Sequence, residues 1–330
     1  MATAQTLPKP KVRRWSLLGE GKIERREALW FWLFISPWAF GFIVFTLGPI
    51  VASAYLSLTR YTLGTTPVFT GFTNYVNLAS DRIFLKSIQV TAYYTILAVP
   101  LGIAASLLLA VLLNQKLPFV GVFRTLYYLP SLLGASVAVV LLFQWLLNSQ
   151  FGIVNYAIRS LLGPNGTIPL GVVPPKWLQD PDWTVPSLVL MSLWGFGGSM
   201  LIYLSALQGV PTHLYEAATI DGASRFRQFF SITLPMISGV ILFTFITGVI
   251  GSFQTFTAAY IISGNGSGSP AYSLMFYVLY LFNNAFRTYR MGTAAAQAWI
   301  LFIIVLILTL LMFRVSRRFV YYESDDEGMI

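Results

Sequence analysis

The residues able to do covalent or metal chemistry are few and scattered. The 330-residue chain has no cysteine and one histidine, His213, so neither a thiolate site nor a multi-histidine metal centre can be built from it. His213 itself reads as a solvated loop residue with no role. Asp180 and Asp182 are the nearest thing to the paired carboxylates of an acid–base enzyme. They sit in a run of prolines and tryptophans (residues 173–183), where an interfacial anchor is the simpler reading. No Gly-x-x-x-x-Gly-Lys-[Ser/Thr] phosphate loop is present; the nearest match, Gly21-Lys22, is followed by Ile23. The chain cannot hold ATP in that cradle, so any energy source must be a partner.

The informative stretch is residues 209–235, which reads as two short helices joined by a turn. Thr212, just after Pro211, is placed to cap the first helix. Glu216 then falls near the helix start, where a negative charge suits the helix dipole. Asp221-Gly222 ends that helix, because glycine takes the left-handed conformation at C′ without strain. Ser224 caps the second helix and Pro235 marks the start of the next apolar block. Leu214, Ala217 and Ala218 give the first helix a small apolar face; Phe226, Phe229 and Phe230 give the second a larger one.

The elements that hold this loop are membrane helices. The chain is 56% hydrophobic and only 10% charged, whereas soluble domains carry about 25% charged residues. About 20 apolar residues are needed to cross a ~30 Å hydrocarbon core. Six segments qualify, at about 29–59, 87–113, 125–147, 187–209, 236–263 and 292–313, and none contains Asp, Glu, Lys, Arg or His. The chain therefore divides into a basic N-terminal segment (1–28), a transmembrane domain (29–313, with the loop at 210–235) and a tail (314–330). Pro37 and Pro49 are expected to kink the first span. That span is too long for a signal-peptide core, which runs about 7–15 residues.

Charge placement sets the orientation. Fourteen of the 21 basic residues fall on one side: Lys9, Lys11, Arg13, Arg14, Lys22, Arg25, Arg26, Lys116, Arg124, Arg225, Arg227, Arg314, Arg317 and Arg318. Both termini are accordingly expected in the cytoplasm. The net charge of +9 suits anionic lipid, and no nucleic-acid-reading motif is present. Gly163-Pro164-Asn165-Gly166 and the Gly/Ser run 264–270 are turn chemistry in the outer loops, and the acidic run 323–327 is a solvated end.

The string Glu216-Ala217-Ala218-x-x-Asp221-Gly222-Ala223, followed by Ile232-x-Leu234-Pro235, resembles the "EAA" signature of permeases in binding-protein-dependent ABC importers, with every key position present. Phe72-Thr73-Asn74-Tyr75, the run Phe123–Pro130 and Trp194-Gly195 are similar to the maltose-type carbohydrate permeases, MalF-like subunits in particular. The resemblance covers about residues 29–320. It implies an all-α membrane protein with the type I importer permease fold, in the bacterial inner membrane. It also implies four kinds of partner: a second homologous permease in a heterodimer, a homodimer of ATP-binding subunits carrying ATP and magnesium, an extracytoplasmic substrate-binding protein, and membrane lipid. No cofactor belongs to this chain itself. In such a system Glu216, Ala217, Ala218, Asp221, Gly222, Ala223, Phe226, Leu234 and Pro235 couple to the ATPase.

Sugars are bound by stacking on rings and by hydrogen bonds to uncharged polar groups. Candidates for such a pathway are Ser192, Trp194, Gly195 and Phe196 in the fourth span and Ser252, Gln254, Thr255 and Tyr260 in the fifth, with Gln144 in the third. Small hydroxyl residues also glue helices together, so any one of them has that second reading. Gln254 is expected to face the bundle interior, because an unpaired amide in hydrocarbon costs several kcal/mol. Two other classes compete. A secondary transporter coupled to protons needs an ionisable residue in the bundle and finds none, though a sodium-coupled carrier can use backbone oxygens. A non-transport membrane protein does not need the Glu-Ala-Ala loop.

Overall fold

A computed structural model describes residues 22–115, 118–134, 136–163, 167–168 and 170–316. Lys9, Lys11, Arg13, Arg14, Lys116, Pro164, Asn165, Gly166, Arg317, Arg318 and the acidic run 323–327 lie outside the described residues, as does the side chain of Lys22. The chain forms two units, residues 1–55 and 56–330.

In the first unit α1 (Lys22–Phe42) passes through a widened π turn (Ile43–Leu47) into α2 (Gly48–Ser57). Together they give an apolar helix over Arg25–Ser57 with no part of its most apolar stretch buried in the chain. A helix that is apolar all round needs an apolar surrounding. The π turn has a local cause. Pro49 lacks an N–H, and its ring clashes with the carbonyl four residues earlier in a regular α-helix. The Gly48 N–H instead reaches the Ile43 carbonyl, five residues back.

The second unit begins with a hairpin, β1 (Thr59–Arg60) and β2 (Val68–Phe69), then α3 (Thr73–Ser80) and α4 (Arg82–Leu113). There follow α5 (Val120–Leu133), α6 (Val137–Leu146), α7 (Ile153–Leu162), α8 (Pro181–Ser192) and α9 (Gly197–Gln208). Next come α10 (Thr212–Ile220), α11 (Arg225–Gln228), α12 (Leu234–Met236), α13 (Ser238–Phe253), α14 (Thr257–Ile262), α15 (Tyr277–Phe282) and α16 (Met291–Ser316).

The long helix α4 is the axis of this unit, packing most extensively against α9, α13 and α8. Asp81 caps its start by accepting from the backbone N–H groups of Ile83 and Phe84, at 2.8 and 3.2 Å. Arg124 caps its end by donating to the Leu113 carbonyl at 2.9 Å, where a cation also suits the dipole. One apolar cluster forms around Tyr94, Phe143, Leu188 and Phe276, and a second around Ala110, Met200, Tyr203 and Ile237. On the stretch of α4 that carries the first cluster, Ser87, Thr91 and Thr95 are buried and donate to carbonyls three or four residues back. At the opening of α16 the Gly292 N–H donates to the Tyr61 carbonyl at 3.1 Å, and a Cβ there would lie 2.2 Å from the Thr59 carbonyl oxygen. Only glycine fits.

Four helices are long and apolar enough to cross a membrane, and two bent pairs bring the number to six among the described residues. The expected third span, 125–147, is not one helix. It splits into α5 and α6, because Gly134 turns left-handed (φ +54°) and Ser136 caps a new start. The expected fourth span starts earlier, at Pro181, and bends by 53° between α8 and α9. The fifth starts at Ser238 and is interrupted after Phe253. The loop after residue 263 is not simply solvated, since Leu274 and Phe276 are fully buried.

Candidate functional site

The loop between the fourth and fifth spans is two-faced. Pro211, with φ −62° and ψ 129°, occupies the cap position of α10, so Thr212 is its first residue and not the cap that the sequence suggests. Glu216 and Ala217 are exposed, whereas Leu214, Tyr215 and Ala218 are half-buried. Of the small apolar face read from the sequence, Leu214 and Ala218 turn inward and Ala217 does not, and Tyr215 joins them there. The helix ends as expected. The Ala223 N–H bonds back to the Ala218 carbonyl and the Gly222 N–H to the Thr219 carbonyl. This is the Schellman pattern, with Gly222 left-handed at φ +75°. Ser224 accepts from the Arg227 N–H and caps α11.

From Arg225 the helical run continues through a π turn (Phe229–Thr233) into α12 and breaks only at Ile237. Pro235 thus lies inside the run and does not mark the start of the span. The π turn stands two residues before this proline, as the other stands before Pro49, and the Leu234 N–H again reaches five residues back, to the Phe229 carbonyl.

The inner side of the pair joins the second apolar cluster. Tyr215, Phe229, Ile232, Leu234 and Met236 pack against Leu207, Val210 and Ile237. The outer side does not. Ile220 is 87% exposed, Phe226 75% and Phe230 50%, and Asp221 and Gly222 are exposed beside them. An apolar patch kept in water marks a surface awaiting a partner. Ile220 escaped the sequence reading because it fills a wildcard place in the motif. Tyr215 escaped because a tyrosine beside Glu216 has no motif position.

The pathway candidates separate into groups. Ser192 is exposed at the end of α8, and Trp194 and Gly195 follow in a 3₁₀ turn, also exposed. The Trp194 ring stands edge-on to buried Phe143, with centroids 5.8 Å apart, next to half-buried Gln144. Phe196 is half-buried, and its carbonyl accepts from the Ser106 hydroxyl at 3.2 Å. Gln254 closes α13 with its side chain exposed, so it does not face the interior of this chain's bundle. The helix simply stops before it, which frees the amide from hydrocarbon packing. The Tyr94 hydroxyl lies near the side chains of both Ser192 and Thr255, one at each helix break. Tyr94 was hidden in the sequence by its place in an otherwise apolar span.

Two candidates fall elsewhere. Ser252 is buried and faces Thr95 at 2.8 Å, a helix-to-helix contact within this chain. Tyr260 stacks on Phe256, centroids 5.3 Å apart, and packs against the first apolar cluster. Among the described residues no three metal-ligating side chains come together.

Apolar helices gathered on one central helix, with broken spans and a loop whose apolar outer face is exposed, define a membrane-spanning permease component. The chain belongs to the family of binding-protein-dependent transport system inner membrane components, whose profile matches residues 98–321. The probable ABC transporter permease protein YesP of Bacillus subtilis (strain 168) is 40% identical over 304 residues, which cover 92% of this chain and 95% of YesP. The lactose transport system permease protein LacF of Rhizobium radiobacter is 36% identical, covering 87% and 94%. The trehalose/maltose transport system permease protein MalF of Thermococcus litoralis is 30% identical, covering 90% and 96%. The fold matches a chain of a bacterial ABC transporter involved in the import of the acidic polysaccharide alginate, with a TM-score of 0.73, 21% identity, and coverage of 89% and 96%.

Proposed function

We propose that this chain forms half of the translocation pathway of an ATP-driven importer for a sugar, oligosaccharide or related glycoside. A second homologous permease supplies the other half. A homodimer of ATPases, carrying ATP and magnesium, docks on the loop at 210–235, and an extracytoplasmic binding protein delivers the solute. This chain itself catalyses nothing. Both termini and the loop face the cytoplasm, in keeping with the distribution of basic residues.

The observation that carries the reading is the two-faced loop. Its inner side is packed into the protein and its outer side shows Ile220, Phe226 and Phe230 to solvent, with Glu216 exposed one helical turn before Ile220. A carboxylate on the same short helix as an exposed apolar side chain suits a groove with an apolar floor and an arginine at its rim. The solute class rests on the names of the relatives, which handle lactose and trehalose/maltose, and on the uncharged polar and aromatic groups at the two helix breaks. The test is reconstitution of the complete complex in vesicles with labelled saccharides. ATP-dependent, binding-protein-dependent accumulation supports the reading. Accumulation driven by a sodium gradient without ATP would overturn it.

A further inference from the structure

The two arms of the loop are joined to each other by more than the turn at Gly222. Tyr215, on the inner face of α10, places its hydroxyl 2.8 Å from the hydroxyl of Thr233, the last residue of the π turn. Thr233 is buried. Further along the pair the Gln228 amide donates to the Thr219 hydroxyl and to the Ala223 carbonyl, each at 3.1 Å. Two short helices joined by a turn at Gly222 would otherwise pivot there, because a single left-handed glycine is the softest point of the connection. These bonds tie α10 to the 225–236 run near both ends.

We propose that Tyr215 and Thr233 are positioning residues that brace α10 against the 225–236 run leading into the fifth span, so that a displacement of the loop is passed on toward α13. This rests on the reading of the loop as an ATPase dock. The mechanical argument is one of stiffness. A push on the exposed face of α10 either closes the angle at Gly222 or moves the whole block. With the Tyr215–Thr233 bond intact the angle is fixed and the block moves. Its motion enters α13 at Ser238 and leaves at Phe253, directly before Gln254 and Thr255. Deeper in the bundle the Tyr203 and Thr244 hydroxyls hydrogen-bond between α9 and α13, which carries the fourth span along. The bland account, that a half-buried tyrosine has merely found an acceptor, predicts a stability effect only.

The experiment compares Tyr215→Phe, Thr233→Val, the double variant and Thr233→Ser in the full complex in vesicles. It reads solute taken up per ATP hydrolysed, together with ATPase pull-down. Wild-type uptake and pull-down must be present first; their absence counts against the docking reading and not against the brace. Expected are intact pull-down in all variants and a loss of about fivefold in uptake per ATP for Tyr215→Phe and for Thr233→Val, the shift that corresponds to one ordinary hydrogen bond. The double variant should be no worse than either single, because both remove the same bond, and Thr233→Ser, which keeps the hydroxyl, should couple normally. Unchanged uptake per ATP in the single variants, or losses that multiply in the double, overturns the proposal. Ring-preserving Tyr215→Phe keeps the apolar packing, so its folding is checked by the same pull-down.

Discussion

The hydroxyls of Thr95 and Ser252, 157 residues apart in the chain, lie 2.8 Å from each other where α4 meets α13. Thr95 also reaches the Thr91 carbonyl and Ser252 the Val249 carbonyl, both at 2.8 Å. Two protons thus serve three bonds. Thr95→Val should cost about 1 kcal/mol of stability, measured by thermal unfolding in detergent. Uptake by the folded fraction should stay at the wild-type level, since both hydroxyls are engaged with each other and with carbonyls of their own helices. Lost uptake with unchanged stability would return Ser252 to the list of solute-binding groups.

Gln254 makes the opposite case. Its amide is exposed at the break after α13. Gln254→Ala should leave stability within about 0.5 kcal/mol and lower uptake at limiting solute about 3- to 10-fold, the range of one or two lost hydrogen bonds. Assembly with the partners should be unchanged. Equal uptake in the variant would assign the residue to lipid or to the neighbouring permease.

At the loop the expected order is set by backbone strain. A Cβ on Gly222 meets nothing within 4 Å, so only its φ of +75° penalises a side chain. Forcing an ordinary residue into that region costs about 1–2 kcal/mol, with Asn and Asp tolerated better than β-branched residues. Gly222→Val should therefore uncouple ATP turnover from uptake more than Gly222→Asp, and Gly222→Asn least. Glu216→Lys should do so by reversing the charge offered to the ATPase, with the spans still inserted. Tight coupling in both Gly222→Val and Glu216→Lys would remove the loop from the mechanism.

Tyr280, in the segment between the fifth and sixth spans, donates to the second oxygen of Asp81 at 2.5 Å, while the first caps α4. Burial, and then this bond to a carboxylate, push its phenol up to about 12. The folded chain thus holds a proton that the unfolded chain releases near pH 10. The stabilising effect is complete below about pH 10 and is lost as the pH rises through about 12. The stability gap between wild type and Tyr280→Phe should therefore be constant up to about pH 9 and narrow above it. A gap independent of pH would mean that the bond does not hold in solution.

Orientation is testable because the chain has no native cysteine. Gly266 is a poor reporter position, since its Cβ would press on the Tyr260 ring at 3.0 Å. Thr66, exposed before β2, and Ile220, exposed on the loop, are better. Thr66→Cys should react with a membrane-impermeant maleimide only from outside, and Ile220→Cys only from the cytoplasm. Labelling of both from the same face rejects the topology.

Much of this was legible in the sequence, for reasons that differ by element. Span positions follow from unbroken apolar runs, and the end of α10 follows from a glycine with one job. The breaks were not legible. Gly134 and the 3₁₀ turn at Leu193–Gly195 sit inside runs whose hydropathy does not change, and only packing decides whether such a run bends. The cap of α10 was misplaced by one residue because a proline's fixed geometry outranks a threonine's hydrogen bond. Ser252 and Gln254, two residues apart, have opposite surroundings because the helix ends between them, a fact that composition does not contain.

The close fit of Gly292 against Thr59 and Tyr61 bears on how the chain is made. Residues 59–61 leave the ribosome early, and one of the surfaces they pack on is a helix start synthesised more than two hundred residues later. Until then the hairpin and α3 hold one another, through the Asn74 amide on the Ser57 and Thr59 carbonyls, but lack the contact with α16. This seam of the second unit therefore closes only once α16 has been made, and a chain cut short before α16 leaves the Thr59–Tyr61 edge without its Gly292 contact.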